Sequence, residues 1–195
     1  LGVAGVEGNG QGELIEAILG LRSIEDGGQI LLDGEEISTW SVRRRREARI
    51  GYVPEDRHRR GLLLDAPLWE NAMLGHQTME PFARGPLLDR GRSREATTRI
   101  VKDFDVRTPS IDTSARALSG GNQQKLVIGR EMAASPRLLI AAHPTRGIDV
   151  GAQAAVWEEL RTARRNGLAL LLVSADLEEL LGLADRLVVM LRGRV

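Results

Sequence analysis

The sequence predicts an α/β layered domain with a mostly parallel sheet, interrupted by a helical insertion. Three observations lead there. β-Prone apolar runs alternate with segments whose apolar residues recur at helical spacing, the pattern of strand–helix–strand units. A glycine-rich loop, residues 5–12, joins the first apolar run directly to the first helix. A stretch holding Pro67, Pro81, Pro86 and Pro109 then breaks the alternation, dividing the chain into a core of residues 1–66 and 114–195 and an insertion of residues 67–113.

Taken in order, strands are predicted over 1–6, 29–32, 50–53, 137–141, 168–173 and 187–191. Each is a short apolar run bounded by polar or glycine residues. Helices are predicted over 13–20, 122–134 and 152–165, where apolar residues fall on one face, and over 94–104 inside the insertion. A shorter helix opens at Asp176, with Glu179 three residues on as in a capping box.

Composition narrows the function classes. The 195 residues carry 27 Lys+Arg and 27 Asp+Glu, a formal net charge of zero, so the chain has no global basic field to recruit nucleic acid or anionic lipid. Cysteine is absent, which removes disulfides, thiolate catalysis and Cys-ligated metals. The longest apolar runs, 168–173 and 187–191, fall far short of the roughly 20 residues of a spanning helix. Arginines gather at Arg43, Arg44, Arg45, Arg46, Arg49, Arg57, Arg59 and Arg60. With only Trp40 and Tyr52 nearby to stack on bases, this cluster reads as a solvated or phosphate-facing surface rather than a nucleic-acid patch. A first residue of Leu, running at once into the glycine loop, reads as a piece of a longer protein.

The segment Gly5-Val6-Glu7-Gly8-Asn9-Gly10-Gln11-Gly12-Glu13 follows a strand and opens a helix, so its backbone N–H groups are placed to cradle an anion. It resembles a P-loop, GxxxxGKS/T, in which Gln11 stands where a lysine reaches the phosphates and Gly12 where a hydroxyl holds Mg²⁺. On its own it reads equally well as a plain glycine turn. More specific is Leu118-Ser119-Gly120-Gly121-Asn122-Gln123-Gln124-Lys125, a hydroxyl and two side-chain-free amides at the start of a long helix. A simple glycine N-cap is the alternative.

At LSGGNQQK the chain is similar to the signature motif of ABC-type ATPases, in the variant of simple-sugar and nucleoside importers. That resemblance implies a P-loop NTPase-like (ABC ATPase) core and extends along nearly the whole chain. Residues 137–143 resemble a Walker B strand whose Asp-Glu pair reads Ala142-His143 here, so the implied Mg²⁺ ligand and carboxylate base are missing and His143 stands at the base position. Residues 144–152 resemble a D-loop in which Asp149 would reach across a dimer interface. Ala175 takes the place of the switch histidine, and Glu55 that of the Q-loop glutamine.

The resemblance therefore implies a domain altered wherever it would handle nucleotide in cis, at Gln11, Gly12, Ala142, His143, Ala175 and, less drastically, Glu55, with Gly5, Gly8, Asn9, Gly10, Gln11, Gly12 and Glu13 forming a degenerate loop. Ser119, Gly120, Gly121 and Gln123 would act in trans, on ATP and Mg²⁺ held by the partner domain. The pattern is most similar to the second half of tandem ATPases of nucleoside importers, with simple sugars as the runner-up substrate. It implies an N-terminal ATPase half, permease subunits, an indirectly coupled extracytoplasmic solute-binding protein, and a peripheral place on the cytoplasmic face of the inner membrane, with no nucleic acid. A regulatory module without hydrolysis and a soluble ABC ATPase acting on nucleic acid or ribosomes are the alternatives. The isolated fragment is expected to hydrolyse little ATP. The insertion and the loop after Glu55 are expected to face the permease, with Leu62, Leu63, Leu64 and Trp69 either anchoring there or packed in the core.

Overall fold

A computed structural model describes residues 1–24 and 27–195. The elements run β1 (Gly2–Ala4), α1 (Gln11–Leu19), β2 (Leu31–Leu32), β3 (Glu35–Glu36), α2 (Val42–Glu47), β4 (Ile50–Val53), α3 (Arg57–Arg60) and α4 (Leu68–Ala72). They continue with β5 (Ala83–Arg84), β6 (Leu87–Leu88), α5 (Arg90–Asp103), α6 (Gly120–Ala133), β7 (Leu138–Ala142), α7 (Val150–Arg165), β8 (Ala169–Ser174), α8 (Leu177–Leu183) and β9 (Leu187–Val189). Five strands form one sheet in the order β4-β7-β8-β1-β9, and every neighbouring pair is parallel.

Strand alternation builds two cores from one sheet. Leu139 and Ala141 of β7, with Leu170 and Leu172 of β8, face a cluster that includes Leu126, Val156 and Leu180. Their neighbours Ile140, Ala142, Leu171 and Val173 face the other way, onto Ile15 and Leu19 of α1 and Ile37. With a period of two and helices on both sides, such strands read as unbroken apolar runs. The first cluster continues into the insertion through Leu68, Phe82, Ile100 and Val106. There α5 lies tight against α6: a Cβ on Gly129 would stand 2.8 Å from Phe104 Cδ2, so this crossing requires glycine.

The run predicted over 29–32 behaves differently from the other strands. Leu31 and Leu32 pair antiparallel with Glu36 and Glu35, outside the central sheet. Asp33 and Gly34, both at positive φ (50° and 83°), form the two-residue hairpin loop that reverses the chain. The helix predicted from residue 94 starts at Arg90, because Asp89 caps it by accepting from Arg92 N at 3.0 Å. Of the four apolar residues considered as anchors, Leu62 is buried in the first core, Leu64 and Trp69 are half-buried, and Leu63 is exposed.

Of the arginine cluster, Arg43, Arg44, Arg49, Arg59 and Arg60 are exposed, as a solvated surface requires, whereas Arg45 and Arg46 are structural. Arg45 is 1% exposed and donates to the carbonyls of Ala17, Ile18, Ser38 and Trp40, closing the C-terminus of α1. Arg46 bridges to the buried Glu131 of α6 at 2.8 Å, and Arg43 pairs with Glu47. Among the described residues no helix is long and apolar enough to cross a membrane.

Candidate functional site

The loop after β1 is filled by its own side chains. Gly10 adopts φ 107° and passes the chain into α1, whose first residue, Gln11, folds back instead of pointing outward. Gln11 is 8% exposed; its Oε1 accepts from Asn9 N at 3.1 Å and its Nε2 donates to the Val6 carbonyl at 3.2 Å. A Cβ on Gly5 would lie 2.3 Å from that Nε2, so glycine there makes room for the carboxamide. Asn9 ties the loop to the C-terminal turn: its Oδ1 accepts from Arg192 N at 3.0 Å and its carbonyl from Gly193 N at 2.8 Å. Glu7, Gly8, Gly12 and Glu13 form the exposed rim.

Beyond the rim lies a cleft of about 740 Å³, lined by Gly5, Gln11, Ala142 and His143 together with Glu55, Arg57 and Arg60. On the loop side Gln11 turns inward, Gly12 brings no side-chain hydroxyl and Ala142 no carboxylate, while Arg22, Arg59 and Arg60 also line the cleft. Among the described residues no group of three or more His, Asp or Glu side chains is placed to hold a metal ion.

His143 ends β7 at a positive φ of 45°. Its backbone N–H donates to the Val173 carbonyl at 2.8 Å, and its Nδ1 accepts weakly from Ala175 N at 3.4 Å. Partial burial lowers its pKa, outweighing the opposing pull of Glu179 and Glu7. At neutral pH the ring is therefore a neutral imidazole. It can accept a proton, but among the described residues no lysine lines the cleft with it to stabilise developing charge.

The second glycine motif is built differently. Ser119 caps α6, its Oγ accepting from Asn122 N at 3.4 Å and Asn122 Nδ2 at 2.9 Å. Asp149 caps α7 by accepting from Ala152 N at 2.9 Å, and its Oδ2 lies beside Gly121. A Cβ on Gly121 would stand 2.8 Å from Ala152 Cβ, so this glycine lets the two helix starts meet. Ser119 remains exposed. Gln123 is different: it is 5% exposed and aimed inward, donating to the Ala115 carbonyl and accepting from Arg57 and His58. It is a strut beneath the motif, not part of its open rim. Glu55 likewise turns to the D-loop-like segment, pairing with Arg146.

Three features escape a reading of local sequence. Arg57 spans to Gln123 and to the carbonyls of Arg146 and Gly147. Glu131, 1% exposed, gathers Arg46, Arg130 and the Tyr52 N–H. Asn71, fully buried, holds the turn through Leu63, Ala66 and Pro67 with four hydrogen bonds. The one available signal was Asp56, whose capping of His58 and Arg59 sets Arg57 on a helical turn.

A family model described as ABC transporter matches residues 1–146. The chain belongs to the ABC transporter family. This ABC domain is 48% identical to the guanosine import ATP-binding protein NupO of Bacillus subtilis, over all of its own length and 38% of that protein's. It is 42% identical to the nucleoside import ATP-binding protein NupA of Lactococcus lactis, with the same coverage, and 40% identical to a ribose import ATP-binding protein of Rubrobacter xylanophilus. It thus spans well under half the length of these curated relatives. A crystal structure of a nucleotide-free ATP-binding cassette from an ABC transporter superposes on 98% of the domain with a TM-score of 0.81 at 20% identity. A dimeric post-hydrolysis cassette bound to ADP and phosphate superposes with a TM-score of 0.80. The ABC ATPase fold is therefore established, with its parallel sheet and P-loop-like core.

Proposed function

We propose that this ABC domain is the second half of a tandem import ATPase, and that it serves ATP hydrolysis chiefly by presenting its signature to nucleotide held by the first half. One observation carries the reading: the loop after β1 is occupied by Gln11, whereas the signature helix opens on an exposed Ser119 and a half-buried Gly120, with Gly121 buried behind them. In this arrangement ATP and Mg²⁺ sit on the partner domain, and Ser119 with the adjacent amides stabilises the γ-phosphate charge as the phosphoryl group is transferred. Asp149 shapes the same surface. The core is residues 1–66 and 114–195, and residues 67–113 form the helical subdomain that meets the permease.

Nucleosides are the favoured cargo, since the NupO and NupA matches exceed the ribose-importer match in identity. The assembled protein would sit peripherally on the cytoplasmic face of the membrane, with permease subunits and, indirectly, a solute-binding protein. Isolated, the domain is expected to be inactive.

The test substitutes both motifs in the full-length transporter. A Gly121→Asp change would strike Ala152 within its own domain, so Ser119→Asp is cleaner: a carboxylate keeps the helix cap yet opposes the incoming γ-phosphate. ATP turnover should fall strongly with Ser119→Asp and change only modestly with Gln11→Ala. The reverse pattern refutes the proposal.

A further inference from the structure

We infer that Arg57 is a positioning residue for the partner's ATP: it pins the loop after β4, the segment at Arg146 and Gly147, and the signature helix into one body. The inference rests on the proposed action of the signature in trans. Arg57 Nη1 donates to the Arg146 carbonyl at 2.9 Å, Nη2 to the Gly147 carbonyl at 3.1 Å, and Nε to Gln123 Oε1 at 3.3 Å. One planar fork thus reads two consecutive carbonyls and a side chain of α6, a geometry that a point-charge ammonium does not reproduce.

The surroundings are shaped for this guanidinium. A Cβ on Gly120 would stand 2.8 Å from Arg57 Nη2, and Gly147 sits at φ 69°, where its carbonyl turns toward the fork. Asp56 fixes the base of the side chain by capping the turn that carries it. His58 Nε2 lies 2.8 Å from the same Gln123 Oε1, and Glu55, two residues before Arg57, pairs with the Arg146 side chain. Three segments distant in sequence therefore meet at one side chain. Any displacement of the loop carrying Arg57 is transmitted to the backbone at residues 146–147 and to the start of α6, where Ser119 is exposed and Gly120 backs onto the fork. Arg57 need not touch the nucleotide to govern how the signature meets it.

The experiment uses the full-length transporter assembled with its permease in lipid nanodiscs, comparing Arg57→Ala, Arg57→Lys, Gln123→Ala and the Arg57→Ala/Gln123→Ala pair. The rate is expressed per assembled complex. With alignment lost, kcat should fall by about tenfold to a hundredfold, while KM for ATP stays within about twofold. Arg57→Lys should recover only part of the rate. The double variant should lose less than the product of the single losses, because both residues act through one junction. A merely structural Arg57 would lower the yield of complex and leave kcat unchanged, which overturns the inference; if Arg57→Ala does not assemble, Arg57→Lys decides on the same criterion. Ser119→Asp is measured alongside. Full activity there refutes action in trans, whereas an inactive Ser119→Asp beside fully active Arg57 variants refutes only the role of Arg57.

Discussion

Replacing Glu131 with Gln should destabilise the fold severely although the residue lies far from any proposed ligand. Its carboxylate is 1% exposed and accepts from Arg46 Nη1 at 2.8 Å, Arg46 Nη2 at 3.2 Å, Arg130 Nε at 3.0 Å and Tyr52 N at 3.1 Å. Arg130 is itself 5% exposed and also donates to the carbonyls of Gly61 and Asn71, so it cannot swing to water without breaking those bonds. An amide keeps the volume but removes the charge and turns an N–H₂ group toward donors. Removing one partner of a buried ion pair costs about 3–5 kcal/mol. At roughly 2–4 °C per kcal/mol for a chain of this size, the midpoint of thermal unfolding should fall by about 6–20 °C. Burial raises the pKa of Glu131, but Arg130, His76 and Arg46 together outweigh that and hold it below its ordinary value of 4.5. Its stabilisation is therefore complete above pH 4.5 and declines as pH falls below that, where the unfolded chain takes up the proton first. Urea unfolding at pH 7 and at about pH 3.5 should show a wide gap between the two proteins that narrows in acid. A loss below about 1 kcal/mol at pH 7, or a gap that widens in acid, would show that the buried charge cluster does not stabilise the fold.

Three further changes probe separate parts of the molecule. Gly129→Ala drives a methyl to 2.8 Å from Phe104 and 2.9 Å from Ile100 and should cost about 1–3 kcal/mol in urea unfolding, whereas Gly91→Ala, with only Asp89 near at 3.5 Å, should be neutral or stabilising. His143 should titrate below 6.5 by NMR; since the unfolded chain then binds the proton more readily, stability should drop as pH falls below that value, and a midpoint above it would contradict the burial argument. Gln11→Lys should leave the isolated domain without magnesium-dependent ATP turnover, because Gly12 and Ala142 still supply no metal ligand; a restored, metal-dependent rate would mean the cleft is better equipped than its side chains indicate.

The parallel sheet was legible because β7 and β8 are apolar on both faces, which leaves a continuous signal over five or six residues. The hairpin of β2 and β3 was missed for a specific reason: Asp33-Gly34 is a two-residue turn signal, and an apolar run ending there belongs to a hairpin before it belongs to a parallel sheet. α2 and α3, read as VRRRRE and RHRR, carry no apolar period at all; they are held by Ser41 and Asp56 caps and by what their arginines reach. At the candidate site the glycine motifs were visible because each is a local string whose backbone geometry follows from its own residues. The Arg57–Gln123 junction was not, because its partners lie 66 residues apart and no local pattern pairs them. Gln11 was visible only as a missing lysine, since a substitution does not reveal the rotamer that fills the space.

That rotamer bears on how such a loop persists. In a P-loop with its lysine, bound phosphate helps to order the turn by collecting the N–H groups that converge there. Here the chain supplies that order itself. The Gln11 carboxamide satisfies Asn9 N and Val6 O from inside, and the Asn9 side chain and carbonyl take two more N–H groups from the C-terminal turn. Gly10 lies so close to Gly193 that a Cβ would come within 3.0 Å of its Cα, so the loop also serves as a packing surface for residues after β9. β1 stands between β8 and β9, and α1 closes the second core through Ile15 and Leu19; a loop that frayed would loosen both. A glycine-rich turn of this shape is thus required by the architecture around it whether or not it meets a phosphate, and its internal hydrogen bonds remove any need for a ligand to hold it.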